Sequence, residues 1–169
     1  MNDTEGLKLL SAPFPAKDIE WRVQRAGVTR GKGWAMVLAY VTNRAVQERL
    51  DEVAGIQNWK NEYDKSPDGG VLCGISIKVG DEWVTKYDGA ENTAVEAVKG
   101  GLSSAMKRAA VQWGIGRYLY NLETGFVNMT DEKPHDMLGW SMHYEKETKT
   151  RYYWKAPQLP SWALPEEEK

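Results

Sequence analysis

Apolar and polar positions alternate along this chain with two different periods. The longest regular stretch runs from Asn92 to Leu122. On a wheel of about 100° per residue, Val95, Val98, Ala105, Met106, Ala109 and Trp113 fall within roughly 60° of Leu102. The opposite arc holds Glu96, Ser103, Ser104, Lys107, Arg108 and Gln112, with Val111 out of phase among them. The spacing predicts an amphipathic helix whose apolar stripe packs on something. Its exit, GIGRYLYNL, is rich in glycine and aromatics. Lys107 and Arg108 are adjacent and splay by about 100°, framing a basic strip.

Period-two alternation marks the rest. Ile19, Trp21 and Val23 alternate with Glu20, Arg22 and Gln24, a strand signature with a short helix as the alternative. GVTRGKGW reads as a glycine-flanked basic hairpin tip, and WAMVLAYV (34–41) as a continuous apolar strand. Ala45, Val46, Leu50 and Val53 fit a short helix, capped by Thr42 or Asn43 and stopped by Gly55. Between 57 and 88, QNWKNEYDK, VLCGISIKV and EWVTKYDG are separated by Ser66-Pro67-Asp68-Gly69-Gly70 and by Gly80-Asp81, an antiparallel meander.

Residues 123–139, ETGFVNMTDEKPHDMLG, read as a polar irregular connection, and 140–154 as a hairpin with EKETK at its tip. The expected fold is α+β: an antiparallel three-stranded meander followed by a long helix, a β-β-β-α core. An additional N-terminal strand and short helix precede it, and a C-terminal hairpin follows. Residues 1–16, with Pro13 and Pro15, form an N-terminal arm, 17–122 the core domain, and 123–169 the hairpin and a Pro/Trp-rich acidic tail. That tail is expected to dock Leu159, Trp162 and Leu164 on the same or a neighbouring subunit.

Charge changes this picture locally. The formal net charge is −2, so the protein is not globally basic. Residues 19–122 carry 14 Lys and Arg against 12 Asp and Glu, whereas 123–169 carry 6 against 9. Any phosphate-binding surface is therefore confined to the core. Tryptophan and tyrosine dominate the aromatics, 8 of each against 2 Phe, and both suit stacking surfaces as well as cores. Cys73 is the single cysteine, so no internal disulfide or cysteine-based zinc site forms. No apolar run approaches membrane-spanning length, and MNDTEGLKLL lacks a signal-peptide layout. An intracellular, cytoplasmic protein without membrane contact is expected.

Enzyme chemistry finds little support. The 27–33 loop fails as a phosphate loop: three residues separate Gly27 from Gly31, and Gly33, not Ser or Thr, follows Lys32. Asp81, Glu82 and Lys86 come nearest to a metal-dependent nuclease and match no known spacing. No catalytic residue, metal or cofactor is nominated. A nucleic-acid surface needs cations for phosphates and flat side chains for bases. Arg22, Arg25, Arg30, Lys32, Lys107 and Arg108 supply the first, and Tyr40 and the tryptophans the second.

The run VKGGLSSAMKRAAVQWGIGRYLYNL resembles the signature helix of the Rad52 family of single-strand annealing and double-strand break repair proteins. There an alanine-rich helix carries a Lys-Arg pair, an aromatic-Gly step and a Gly-rich exit. Ile19-Glu20-Trp21-Arg22, then Tyr40-Val41-Thr42-Asn43 leading into a helix, then Gly55 and Trp59, follow the family's order, and LPSWALP resembles its short bacterial and phage members. The likeness covers about residues 17–122. It implies a groove for single-stranded DNA, with Arg22, Lys107 and Arg108 on phosphates and Tyr40 lining the same groove. Arg25 and Arg30 have no secure counterpart, and Lys32 is nominated from its place in the basic loop. Some members carry a further cation where Val111 stands here. Either another residue compensates, or the site is weaker, or Val111 packs on a neighbouring subunit.

The resemblance also implies a mechanism without nucleotide. A homo-oligomeric ring or helical assembly joins short grooves, holds one strand with bases outward, and lets a complement find its register. A recombinase or a single-strand-binding protein is a candidate partner. The competing expectations are a single-stranded DNA-binding protein without annealing activity and a metal-dependent nuclease.

Overall fold

A two-residue turn opens the architecture. Arg30 and Gly31 both have positive φ, +52° and +77°, the backbone that matches the twist of a tight hairpin. It joins β1 (Ile19–Thr29) to β2 (Lys32–Val41), so the N-terminal alternation resolves as strand. The computed structural model describes residues 3–67, 69–91 and 97–169. The β1–β2 pairing is regular except between Val23 and Arg25, where Gln24 is the extra residue of a bulge. As a result Glu20, Arg22, Arg25, Gly27 and Thr29 pair with Tyr40, Leu38, Met36, Trp34 and Lys32 and share one face.

Thr42 is the cap of α2 (Asn43–Ala54): its Oγ1 accepts from the Ala45 N–H at 3.2 Å, and Gly55, with φ +90°, ends the helix. The meander follows as β3 (Trp59–Lys65), β4 (Val71–Val79) and β5 (Glu82–Ala90), all antiparallel. The long helix α3 (Ala97–Gln112) packs across it. Its expected start at Asn92, with Val95 and Glu96, lies outside the described residues, as does Asp68 of the β3–β4 turn. Cys73, Ile75 and Ile77 of β4, Val46 and Leu50 of α2, and Ala105, Met106, Ala109 and Ala110 of α3 are buried in one cluster. Burying such side chains stabilises by roughly 1.5–3 kcal/mol for each large one. Of the expected stripe, Ala105, Met106 and Ala109 are buried there and Trp113 packs on them, donating its indole N–H to the Ile75 carbonyl at 2.9 Å; Leu102 is half-buried, and the side chains of Val95 and Val98 lie outside what the structure describes.

Two stretches differ from the sequence reading. Residues 123–139 contain a strand, β6 (Gly125–Met129), which pairs with β2 and completes a β1-β2-β6 sheet. The hairpin β7 (Trp140–Glu145) and β8 (Thr150–Lys155) forms where expected. Its Tyr152 and Trp154 pack with Ala35, Val37, Val127 and Met129, covering one face of that sheet. In the tail Leu159 docks on the main core, but Ala163 is the fully buried residue and Trp162 is half exposed.

The N-terminal arm folds back on its own chain. It forms one helical turn, α1 (Asp3–Leu7), then buries Leu10 and Phe14 in the core. Arg49 of α2 holds it, donating to the carbonyls of Leu9 (3.1 Å), Ala12 (2.8 Å) and Pro13 (3.3 Å) with its guanidinium 4.0 Å from the Phe14 ring centroid.

Candidate nucleic-acid interface

The Tyr40 end of the open sheet face meets the polar side of α3. The junction is a cleft of about 490 Å³, lined by Arg22, Tyr40, Lys107, Arg108 and Val111 among others. Four of the sequence-nominated residues thus converge. The Arg22 guanidinium lies 5.4 Å from the Tyr40 ring centroid and the Lys107 ammonium 5.6 Å, both within cation–π range.

Glycine shapes the floor. Gly116 has φ +71°, which turns the chain after α3, and a Cβ there would stand 3.2 Å from Val41. The exit loop then carries Leu119, Tyr120 and Leu122 to the cleft wall.

The cations differ in how they are satisfied. Lys107 is partly buried, and burial pushes its ammonium below the ordinary value; Arg22 pushes the same way, and Glu20 opposes both. Arg22 itself pairs with Glu20 at 3.1 Å, both half exposed. Arg108 donates to the Asp88 carboxylate at 3.2 Å, and the Gln112 amide donates to the other oxygen at 3.1 Å. Burial alone raises the Asp88 carboxyl. Hydrogen bonds from the Gly89 backbone and Gln112, together with Arg108, outweigh it and hold the group below the usual carboxylate range. An exposed pair such as Arg108–Asp88 contributes about 0–1 kcal/mol, so Arg108 exchanges this partner at little cost.

The other nominees lie outside the cleft. Arg25 and Lys32 continue along the same sheet face, and Arg30 occupies the hairpin turn. At about 3.4 Å per residue, Lys32 stands roughly 27 Å from Tyr40. Val111 contributes an apolar wall. Its carbonyl and that of Gln112 accept from Arg117, at 2.8–3.0 Å, and Lys86 donates to Gln112 O at 3.1 Å. These cations complement the negative end of α3 instead of replacing the cation absent at Val111. An acid, Glu123, lines the same cleft.

Asp88 escapes sequence reading because its partners, Arg108 and Gln112, are set by tertiary contact, whereas Arg117 bonds locally to the carbonyls of Val111 and Gln112. A helix-terminal arginine after a Gly-rich exit was the available signal for Arg117. Asp81 and Glu82 are exposed at the β4–β5 turn, while Lys86 is directed to the end of α3. Among the described residues no group of three His, Cys, Asp or Glu side chains is placed to hold a metal. No described helix is long and apolar enough to cross a membrane.

The protein is thus of the α+β class, with cations gathered where a helix meets the strand ends of an antiparallel sheet. Residues 4–138 match the Rad52/22 family of double-strand break repair proteins, and the chain belongs to that family. It is similar to the single-stranded DNA-binding protein DdrA of Deinococcus radiodurans, 34% identical over 164 residues, covering 96% of this chain and 69% of that protein. The DdrA of Deinococcus deserti is 32% identical over 164 residues, covering 96% and 71%.

Proposed function

We propose that this chain binds single-stranded DNA in the Arg22–Tyr40–Lys107 cleft and anneals complementary strands in recombination and double-strand break repair, without nucleotide or metal. The convergence of two cations on one tyrosine ring carries the reading. Lys107 and Arg22 repel each other across a partly desolvated cleft. A phosphate placed between them relieves that repulsion, and counterions released from the strand add to the affinity. Such contacts read the backbone, not the sequence. Specificity in annealing then comes from base pairing between the strands, and the protein performs no bond chemistry.

The cleft is short beside any useful annealing length. We therefore infer that copies assemble into a ring or helix that aligns successive clefts. The outer edge of β5, nine residues long and unpaired within its sheet, is a surface such an assembly would use. The names of both relatives give single-stranded DNA binding alone, which favours binding without annealing as the second reading. Mixing complementary oligonucleotides without ATP or metal separates the two. Accelerated annealing, lost in Lys107→Ala/Arg108→Ala, supports the first. Protection without acceleration leaves the second, and shortened strands would refute both.

A further inference from the structure

The protein has two phenylalanines, and they are placed oppositely: Phe14 is buried at 3% exposure, Phe126 stands 64% exposed. Phe126 has no polar tip to justify that position. It lies on β6 opposite Met36, on the sheet face that carries Arg22, Arg25 and Tyr40. Its ring is nearly parallel to that of Trp34, with centroids 6.1 Å apart and planes at 14°. Trp34 is fixed flat on the sheet. Its indole N–H donates to Thr29 Oγ1 at 3.0 Å, and its ring lies so close over Gly27 that a Cβ there would fall 2.9 Å from it.

Two stacked rings therefore form an apolar step, one immobilised and one open to solvent. Arg25 lies level with Phe126, across Met36 from it, and Lys32 lies beyond Trp34 towards the tip. The strands of this face carry one acid, Glu20, already paired with Arg22. Cations flanking flat rings on a sheet are the elements of a single-strand platform: phosphates meet the charges and bases stack on the rings. The bulge at Gln24 brings Arg25 to this side; in an unbroken ladder it would face Ala35 and the second core.

We infer that the open β1-β2-β6 face continues the cleft, with bases of single-stranded DNA stacking on Trp34 and Phe126 while Arg25 and Lys32 hold the flanking phosphates. This rests on the cleft reading above and adds base contact to it. Bases on the platform are withheld from pairing, so annealing begins on the nucleotides held at Lys107.

The test compares anisotropy titrations of labelled oligothymidine with those of an abasic strand of equal length. Phe126→Ala is expected to weaken oligothymidine binding about 5- to 150-fold, the range that one stacking contact spans. It leaves the abasic strand and the salt slope unchanged, and Phe126→Trp restores affinity. Arg25→Ala weakens both strands and reduces the salt slope by about 0.7. Wild-type oligothymidine binding by Phe126→Ala and Arg25→Ala, with Lys107→Ala weakened, overturns the platform and keeps the cleft. If Lys107→Ala is also unaffected, the cleft reading itself falls. A change in assembly mass on Phe126→Ala, at unchanged affinity for DNA, makes the face a contact between copies and also overturns the platform.

Discussion

The two three-stranded sheets have similar surface ingredients and different arrangements of them. The outer face of β3-β4-β5 displays Trp83 and Tyr87, with Lys60 and Lys78 beside Glu62 and Asp64. Lys60 pairs with Glu62 at 3.4 Å and lies 5.5 Å from the Trp83 ring. Its central strand is closed on both sides: Cys73, Ile75 and Ile77 under α3, and Ser76 bonded to Thr85 at 2.7 Å on the outside. The β1-β2-β6 sheet is covered on one side by β7–β8 and leaves rings and cations on the other, with a single acid among them. Exposed aromatics thus occur on both sheets. Unbalanced cations beside them occur on one, and that imbalance, not ring content, marks the face suited to phosphate.

The comparison breaks most visibly in the core. Ile75→Ala is expected to cost about 2–5 kcal/mol of stability by opening a cavity beneath α3, read as a lowered urea midpoint. The protein that remains folded keeps its DNA affinity, because β4 lies outside the cleft. Equal loss of affinity in the folded fraction would mean that the two sheets are not separable in function.

Lys107→Ala is next. Binding of single-stranded DNA should fall about tenfold and the salt slope by about 0.7, with stability unchanged or raised because a partly desolvated cation is removed. Its pH behaviour has a definite sign. The folded-state value lies below 10.5, so between it and 10.5 the unfolded chain binds more protons. Relative to Lys107→Met, the wild type therefore gains stability as pH rises through that window. DNA affinity declines over the same interval, and Lys107→Arg removes the decline.

Val111→Lys supplies a cation to the cleft wall and should tighten binding about threefold while steepening the salt slope by about 0.7. Unchanged affinity would show that the strand does not pass this wall. The smallest effect belongs to Asp88→Asn. It frees Arg108, strengthens binding about twofold, and costs under about 1 kcal/mol of stability. Because the Asp88 carboxyl is held low, its contribution is present above the unfolded value near 3.8 and is lost as pH falls through the folded one. A thermal-melt pH series on wild type and variant reads that difference.

Much of the fold was legible from spacing. The meander, α2, α3 and the β7–β8 hairpin are announced by turn residues and by clean two- or 3.6-residue periods. β6 was not, because GFVNM is five residues long, sits in a polar run, and pairs with a strand more than 80 residues earlier. Ala163 carries no local signal of burial: side-chain size points to Trp162, whereas the small residue fits the fully enclosed position. Of the site, residue types and their approximate elements were readable. The convergence of Arg22 and Lys107 on Tyr40 was expected only from the family resemblance, since no local pattern specifies which helix face meets which strand end. The bulge did leave a trace: apolar positions fall at 19, 21 and 23, then at 26 and 28.

That phase change gives β1 a grammar. Its residues form two alternating phrases, and Gln24 is the comma between them. Removing Gln24 would join the phrases without altering what either says: Arg22 and Arg25 would still share a side, opposite Leu38 and Met36, on a straighter strand. Removing any neighbour inside a phrase would instead exchange inside for outside along part of the strand. Descent through insertions and deletions is therefore tolerant at one point of this strand and unforgiving on both sides of it.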